Sequence, residues 1–408
     1  MLKFILWPVL VPSFLFGVGT GAIMPIMVLA ALQLGASAPF ASAIVAIMGA
    51  VALAVTVPVG MLIDRIGDKR AMALATGCAA AMTSLIIVAL AFPSRWSLAL
   101  FVASIILRTP ASVGWNLARQ AVVAETVPTQ YRGQAMTALG GTMRAGNLVG
   151  PLCGALLLWK LPMWSVFAFG VATAVVATIL LFIPALNSTF DAQTRQNRES
   201  RTEEELAVGV RWRAVGLAGV AMSTLAIARV GQPILMALWG VHLGWTESQI
   251  SLMVAVGAAV ELLLMVPGGY FKDVIGRAPI LIVCLLVYGA GFALAPLWPT
   301  SPGFIVAVLV MSVGNGLGAG INMTIGADLS PARGRAKFLS IWAMFSQGGA
   351  LGGPLMISGL LLVASLPVAM TAVGVFAVAG AAWMGAWARV VDLPRGVQAG
   401  RSPEPPPA

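Results

Sequence analysis

Five charged side chains stand inside long apolar runs of this chain: Arg108, Arg119, Arg144, Arg229 and Glu261. An ionisable group at the centre of a lipid-embedded helix costs about 2.5–3.5 kcal/mol even on the gentler insertion scales. Each therefore needs a reason to be there. Helical spacing sets Arg108, Ser112, Trp115 and Arg119 on one face, and that face is expected to look into a polar cavity. Arg119 has a blander reading, its head reaching the inner headgroups along an apolar stem. Glu261 is the only acid within a span. Burial raises a carboxyl's pKa and a neighbouring Arg lowers it, so Glu261 is a candidate for taking and releasing a proton in the physiological range.

Other chemistries lack their residues. The sole histidine, His242, falls in a loop at the outer end of an apolar run, and no carboxylate pair or metal-ligand spacing occurs. Cys78, Cys153 and Cys284 lie singly in apolar segments, at no metal spacing, and an odd count resists a disulfide framework. No Gly-rich phosphate loop ending in Lys-Ser/Thr is present. Neither an enzyme nor an ATP-driven pump is expected, and no cofactor or metal.

The elements that must hold these residues follow from composition. Of 408 residues, 59% are hydrophobic and 9% charged, whereas soluble domains carry about 25% charged residues. Apolar stretches recur at the length of about 20 residues that crosses a bilayer as a helix. Twelve spans can be drawn, at 8–32, 39–63, 71–92, 98–124, 135–159, 164–186, 214–240, 248–270, 278–298, 303–327, 338–362 and 367–388. The net charge of +10 sits in short loops on one side: Asp64 to Arg70, Glu125 to Arg132, Asp191 to Arg213, Lys272 to Arg277, Asp328 to Lys337, and Arg389 onward. Among Lys and Arg, only Arg95 and Lys160 stand opposite. That asymmetry marks topology, not a nucleic-acid surface, and puts both termini in the cytoplasm. Lys3 leads straight into an apolar run without a small-residue cleavage site, so no cleaved signal is expected.

The chain repeats itself. Gly60-Met61-Leu62-Ile63-Asp64-Arg65-Ile66-Gly67-Asp68-Lys69-Arg70 has a partial second copy in Gly269-Tyr270-Phe271-Lys272-Asp273-Val274-Ile275-Gly276-Arg277. Glu125-Thr126-Val127-Pro128 followed by Arg132-Gly133 matches Asp328-Leu329-Ser330-Pro331 followed by Arg333-Gly334. Gly150-Pro151 matches Gly353-Pro354, each with a glycine four residues earlier, Gly146 and Gly349. A duplicated membrane architecture follows. We expect an N-terminal six-helix bundle over 1–186, a central cytoplasmic loop over 187–213, a C-terminal bundle over 214–390 and an extended tail over 391–408. The central loop, with Leu206, Val208, Val210 and Trp212 among charges, is either a surface helix or a tether.

The two charged hinges resemble the cytoplasmic loops between helices 2 and 3, and 8 and 9, of the major facilitator superfamily. The resemblance implies an all-α fold of twelve transmembrane helices in two pseudo-symmetric bundles, working as a secondary transporter. It implies a cytoplasmic latch built from Gly60, Asp64, Arg65, Gly67, Lys69 and Arg70, with Asp64 reaching the start of helix 11 near residues 335–340. Gly269, Asp273, Gly276 and Arg277 would form the weaker second latch, since Lys272 precedes Asp273 and one base follows Gly276.

The stripe Gly146, Gly150, Pro151 and Gly154 is similar to the Gly-Pro motif in the fifth helix of drug–proton antiporters, although Thr137 stands where the longer form has a Gly. As plain packing, glycines four apart let helices approach closely. In the resembled fold helices 1, 4, 7 and 10 line the central cavity, so Arg229, Gln232, Asn315 and Asn322 would join Arg108, Ser112 and Trp115 there. Helices 5 and 8 adjoin in that fold, which makes Arg144 the implied partner of Glu261. A first span without an acid departs from several antiporters. Several Arg against one Glu, with Phe16, Met24, Trp115, Met236 and Trp239 near, favour neutral or anionic amphiphiles over organic cations. The expectation is a monomeric inner-membrane protein exporting such molecules against protons, with uptake of a sugar, organic acid or peptide as the alternative.

Overall fold

A computed structural model describes residues 6–126, 129–183, 210–331 and 335–393. The surface helix or tether expected in the central loop and the extended tail fall mainly on residues 184–209 and 394–408, outside the described residues. The described chain is helical throughout, with no strand. After a π-helical turn at Leu6–Leu10, the helices are α1 (Val11–Gln33), α2 (Ala38–Ile66), α3 (Asp68–Ala91), α4 (Ser97–Thr126), α5 (Thr129–Leu158) and α6 (Trp164–Phe182). They continue with α7 (Trp212–His242), α8 (Glu247–Val274), α9 (Arg277–Leu297), α10 (Ser301–Leu317), α11 (Ile321–Leu329), α12 (Arg335–Val363) and α13 (Leu366–Val391). Helix is the form lipid demands, because each backbone N–H and C=O is satisfied within its own segment.

Ten of the segments are long and apolar enough to span a bilayer, and α6 is a shorter apolar helix. With α5 (Thr129–Leu158) added, these helices correspond to the twelve spans expected, with one correction. The tenth span is not continuous: α10 stops at Leu317, Gly320 adopts φ +75°, and α11 restarts at Ile321. Gly314, Gly316, Gly318 and Gly320 crowd this stretch. Glycine costs a helix roughly 1 kcal/mol against Ala at each position, which makes this the weakest point of the span. The hinge glycines have a backbone role too. Gly67 between α2 and α3 has φ +87°, and Gly276 between α8 and α9 has φ +114°, a region that side chains bearing Cβ rarely occupy.

The chain divides into two compact units. One comprises Met1–Thr202 with Gly240–Ala255, the other Glu203–Trp239 with Val256–Ala408. The outer end of α7 and the first turns of α8 thus belong with the first unit. The cause is local: Ser248 Oγ donates to the Ala155 carbonyl and Ser251 Oγ to the Pro151 carbonyl, both at 2.9 Å, on α5.

Within each unit the Gly-Pro stripe does the same packing. A Cβ on Gly150 would lie 2.4 Å from the Val18 carbonyl oxygen and 2.5 Å from Ala22 N of α1, and one on Gly146 would lie 2.8 Å from Gly17 Cα. A Cβ on Gly349 of α12 would lie 2.3 Å from the Ser223 carbonyl oxygen of α7, and one on Gly353 3.0 Å from that of Ile227. The fifth span thus grips the first as the eleventh grips the seventh. Apolar side chains close the first unit's core, where Trp115 stacks on Phe16 at 4.7 Å among Ile63, Met72, Ala75 and Ala79.

Candidate functional site

Each unit carries its own polar interior, and the two are built differently. In the first, Arg108 lies at mid-helix on α4 and is only 8% exposed. It lines a pocket enclosed by α1, α3, α4 and α6, whose other walls are Phe16, Gly19, Thr20, Ala79, Ala80, Thr83, Gly170, Val171 and Ala174. Its Nε is buried with no hydrogen-bond partner. The other residues expected on its face are placed elsewhere. Trp115 is fully buried in the apolar core and is not a wall of this pocket. Ser112 is half-buried and its carbonyl accepts from Asn116 Nδ2 at 2.9 Å. Arg119, 5% exposed, donates through Nη2 to Asn116 Oδ1 at 2.6 Å, while its Nε and Nη1 are buried with no hydrogen-bond partner.

The second unit brings three of the expected cavity residues together. Arg229 of α7 donates through Nε to Asn315 Oδ1 and through a terminal nitrogen to the Gly318 carbonyl, both at 2.8 Å. Gln232, one turn further, accepts at Oε1 from the Tyr288 hydroxyl of α9 at 2.9 Å. Tyr288 is fully buried and within electrostatic reach of Arg229 and Glu261. Glu261 is half-buried on α8. Small residues make this convergence possible: a Cβ on Gly316 would sit 3.0 Å from Glu261 Cα, and one on Gly314 3.2 Å from Tyr288 N. Asn322 stands apart on α11, half-buried, its carbonyl accepting from Trp342 Nε1 at 2.9 Å and its Oδ1 without a partner.

The break in the tenth span is part of the same cluster. Interrupting a helix in lipid frees carbonyls that must find donors. Here Arg229 takes the Gly318 carbonyl, and the Lys272 ammonium, 6% exposed, takes the Ala319 carbonyl. Two cations thus cap the C-terminal end of α10, the end where the helix dipole is negative. Sequence reading noted Lys272 only as a departure from a loop pattern and passed over Tyr288. One of three tyrosines in the chain, placed inside an apolar run, was the available signal.

At the hinges, Arg65 and Arg70 are exposed and Gly60 meets open space. The side chains of Asp64 and Lys69 lie outside the described residues. Arg277, 5% exposed, donates through Nε to Asp328 Oδ2 at 2.9 Å and through Nη1 to the Lys272 carbonyl at 2.9 Å, with Nη1 also 3.2 Å from Asp273 Oδ1. Asp273 is largely exposed, whereas Asp328 is mostly buried. Gly269 meets open space. The ion pair joins two motifs read separately in the sequence, the hinge copy and the acid preceding α12. Gly154 borders the Ser251 hydroxyl, its Cβ position 3.1 Å from Oγ. Arg144 is half-buried on α5, in the first unit, and Glu261 in the second; each is engaged in an interaction. Among the described residues no group of His, Cys, Asp and Glu is arranged to hold a metal.

Two repeated six-span bundles with polar interiors define a polytopic membrane transporter. The profile of the Major Facilitator Superfamily matches residues 9–232 and 218–407, and the chain belongs to that family. No curated protein sequence matches it. Among solved structures it is similar to a POT family transporter in complex with 5-aminolevulinic acid (12% identity, TM-score 0.75, covering 94% of this chain and 95% of that one). It is similar to a D-xylose–proton symporter (16%, 0.68, 92% and 95%) and to the human organic anion transporter MFSD10 (14%, 0.66, 94% and 99%). At these identities the likeness is one of fold.

Proposed function

We propose that this chain is a secondary active transporter that works by alternating access and exports hydrophobic neutral or anionic small molecules in exchange for protons. The observation that carries the reading is the pair of buried polar centres, Arg108 in one repeat and Arg229 with Asn315, Gln232 and Tyr288 in the other, inside otherwise apolar bundles. Cations at membrane depth attract anionic or polarisable groups and repel organic cations. Arg108, Ser112, Arg229, Gln232, Asn315 and Asn322 are assigned to substrate handling. Glu261 is assigned the coupling proton, with Arg144 as the partner that holds its carboxylate form. Asp64 and its flanking Gly60, Arg65, Gly67, Lys69 and Arg70 are assigned the cytoplasmic latch, and Gly269, Asp273, Gly276 and Arg277 the second one. Both termini are placed on the cytoplasmic side of the inner membrane by the bias of Lys and Arg, and the working unit is a monomer.

A second reading, proton-driven uptake of a sugar, organic acid or peptide, is favoured by the likeness to a D-xylose–proton symporter and to a POT family transporter. Purified protein in liposomes under an imposed pH gradient separates the two. Export against protons predicts that an aryl carboxylate moves opposite to the proton flux and acidifies the proton-receiving side. Substrate and proton moving together would establish uptake, and an absence of substrate-linked proton movement would remove the coupling claim.

A further inference from the structure

We propose that the pocket at Arg108 binds a small monovalent anion, either a free halide or the carboxylate head of a larger molecule, within the first unit. Charge comes first. An Arg side chain does not discharge in a protein, and this one is 8% exposed with its Nε buried and unpartnered. The four lining helices carry two acids, Asp68 and Glu125, both at helix ends. They stand fifteen residues from Thr83 and seventeen from Arg108, about 22 and 25 Å at 1.5 Å per residue. No carboxylate on those helices neutralises the guanidinium. The contrast with Arg229 is direct, since that side chain has an amide oxygen and a carbonyl.

Size and chemistry narrow the ligand. The room open to a water-sized sphere is about 10 Å³, about one such sphere and far below the sites of drug-sized molecules. It suits a headgroup or a single ion. One cation balances one negative charge, so a dianion such as sulfate would bring an uncompensated charge into an apolar wall of Phe16, Val171 and Ala174. Thr20 adds a hydroxyl to the lining, while Thr83 already donates to the Ala79 carbonyl at 2.6 Å.

The site shares Arg108 with the transport reading and rests on it only for its place in a transport cycle; occupancy is measured without turnover. Full-length protein in detergent is heated in chloride, bromide or benzoate, with sulfate as the reference at equal ionic strength. The expected result is a Tm several degrees higher in at least one monovalent anion than in sulfate. Arg108→Gln abolishes the difference and Arg119→Gln preserves it. A halide response assigns a free ion, and a response to benzoate alone assigns the head of a larger molecule. No difference between monovalent anions and sulfate, or an equal difference in Arg108→Gln, overturns the proposal. Should Arg108→Gln fail to fold, anomalous scattering from wild-type crystals grown in bromide, or in p-bromobenzoate for a benzoate-only response, decides: a peak beside the Arg108 guanidinium supports the site and its absence overturns it. Binding that persists while transport fails counts against the transport reading and leaves the site standing.

Discussion

Replacing Arg229 sets two large effects against each other, and the structure says how closely they balance. Arg229→Leu removes the donors to Asn315 Oδ1 and the Gly318 carbonyl, both at 2.8 Å. Side-chain hydrogen bonds between membrane helices average about 0.6 kcal/mol and reach about 1.7. Charge-assisted bonds belong at the upper end, so the loss is about 2–3 kcal/mol. The Gly318 carbonyl keeps a second donor, Ile321 N at 3.1 Å, which limits the damage. Against this, an apolar residue no longer requires the roughly 2.5–3.5 kcal/mol spent on a charge at membrane depth. Arg229 is half-buried, placing that relief at the lower end. The net change in unfolding free energy for Arg229→Leu is therefore within about 1 kcal/mol of zero. Arg229→Lys fares worse. It keeps the charge but replaces a planar fork with one compact ammonium on a flexible stem, which serves one acceptor well and not both. The predicted order of stability is wild type close to Leu, with Lys below both, measured by denaturant unfolding in mixed micelles. Transport is lost in Arg229→Leu despite its stability. An Arg229→Lys protein as stable as wild type beside an Arg229→Leu protein destabilised by more than about 3 kcal/mol would refute the reasoning, because charge alone, not fork geometry, would then hold α10.

Three further outcomes follow from the same geometry. Gly150→Ala drives a Cβ to 2.4 Å from the Val18 carbonyl oxygen, which is backbone and cannot rotate away; a loss of about 1–3 kcal/mol or more is expected, whereas Gly140→Ala, facing open space, leaves Tm unchanged or raised. Removing one partner of the Arg277–Asp328 pair, 2.9 Å apart, lowers stability by up to about 3–5 kcal/mol, reduced by the residual exposure of Asp328 and by Asp273; in a double-mutant cycle, Arg277→Gln with Asp328→Asn costs less than the sum of the singles, and strict additivity would dissolve the pair. Glu261→Gln abolishes proton-driven accumulation while counterflow exchange of labelled substrate continues, and undiminished proton-driven transport would remove Glu261 from coupling.

Periodicity and length made the twelve spans legible because lipid permits so few alternatives, and edges were displaced mainly where charged ends such as Asp68 and Arg277 extend a helix beyond its apolar run. The break in the tenth span was not read. Hydropathy scores Gly318-Ala319-Gly320 as apolar, while the interruption depends on backbone freedom and on donors supplied from α7 and α8. Arg229, Gln232 and Asn315 were singled out because polarity inside an apolar run is itself costly and therefore informative. Their actual bonds, to Asn315, Tyr288 and the freed carbonyl, depend on which faces the small residues Gly314 and Gly316 bring together. Trp115 illustrates the opposite error: sharing a helical face with Arg108 put it among cavity residues, yet its ring fills the core against Phe16. One face of a helix is wide enough to touch both a pocket and a core, and spacing alone does not divide it.

The difference between the two repeats bears on how such a molecule can cycle. If both arginines were fully satisfied by their own helices, neither bundle would gain from a substrate's charge, and binding could not shift one conformation against another, since a ligand moves an equilibrium only by its differential affinity for the two states. Arg229 is held by Asn315 and by the carbonyl exposed at the break. Any anion competing for it must displace those bonds, and the α10 break loses a cap when it does. Arg108 has no such competitor on the helices around it, so an anion there gains the whole of its attraction. On the proposed transport reading the repeats divide the work: the first unit's cation binds without rearrangement, while the second couples any change at Arg229 to the ends of α10 and α11. Conversion of Arg108 into a satisfied residue, by Ala80→Asp on the pocket wall of α3, should then abolish anion binding while leaving the fold intact. An Ala80→Asp protein that folds and still responds to monovalent anions would show that the asymmetry plays no part.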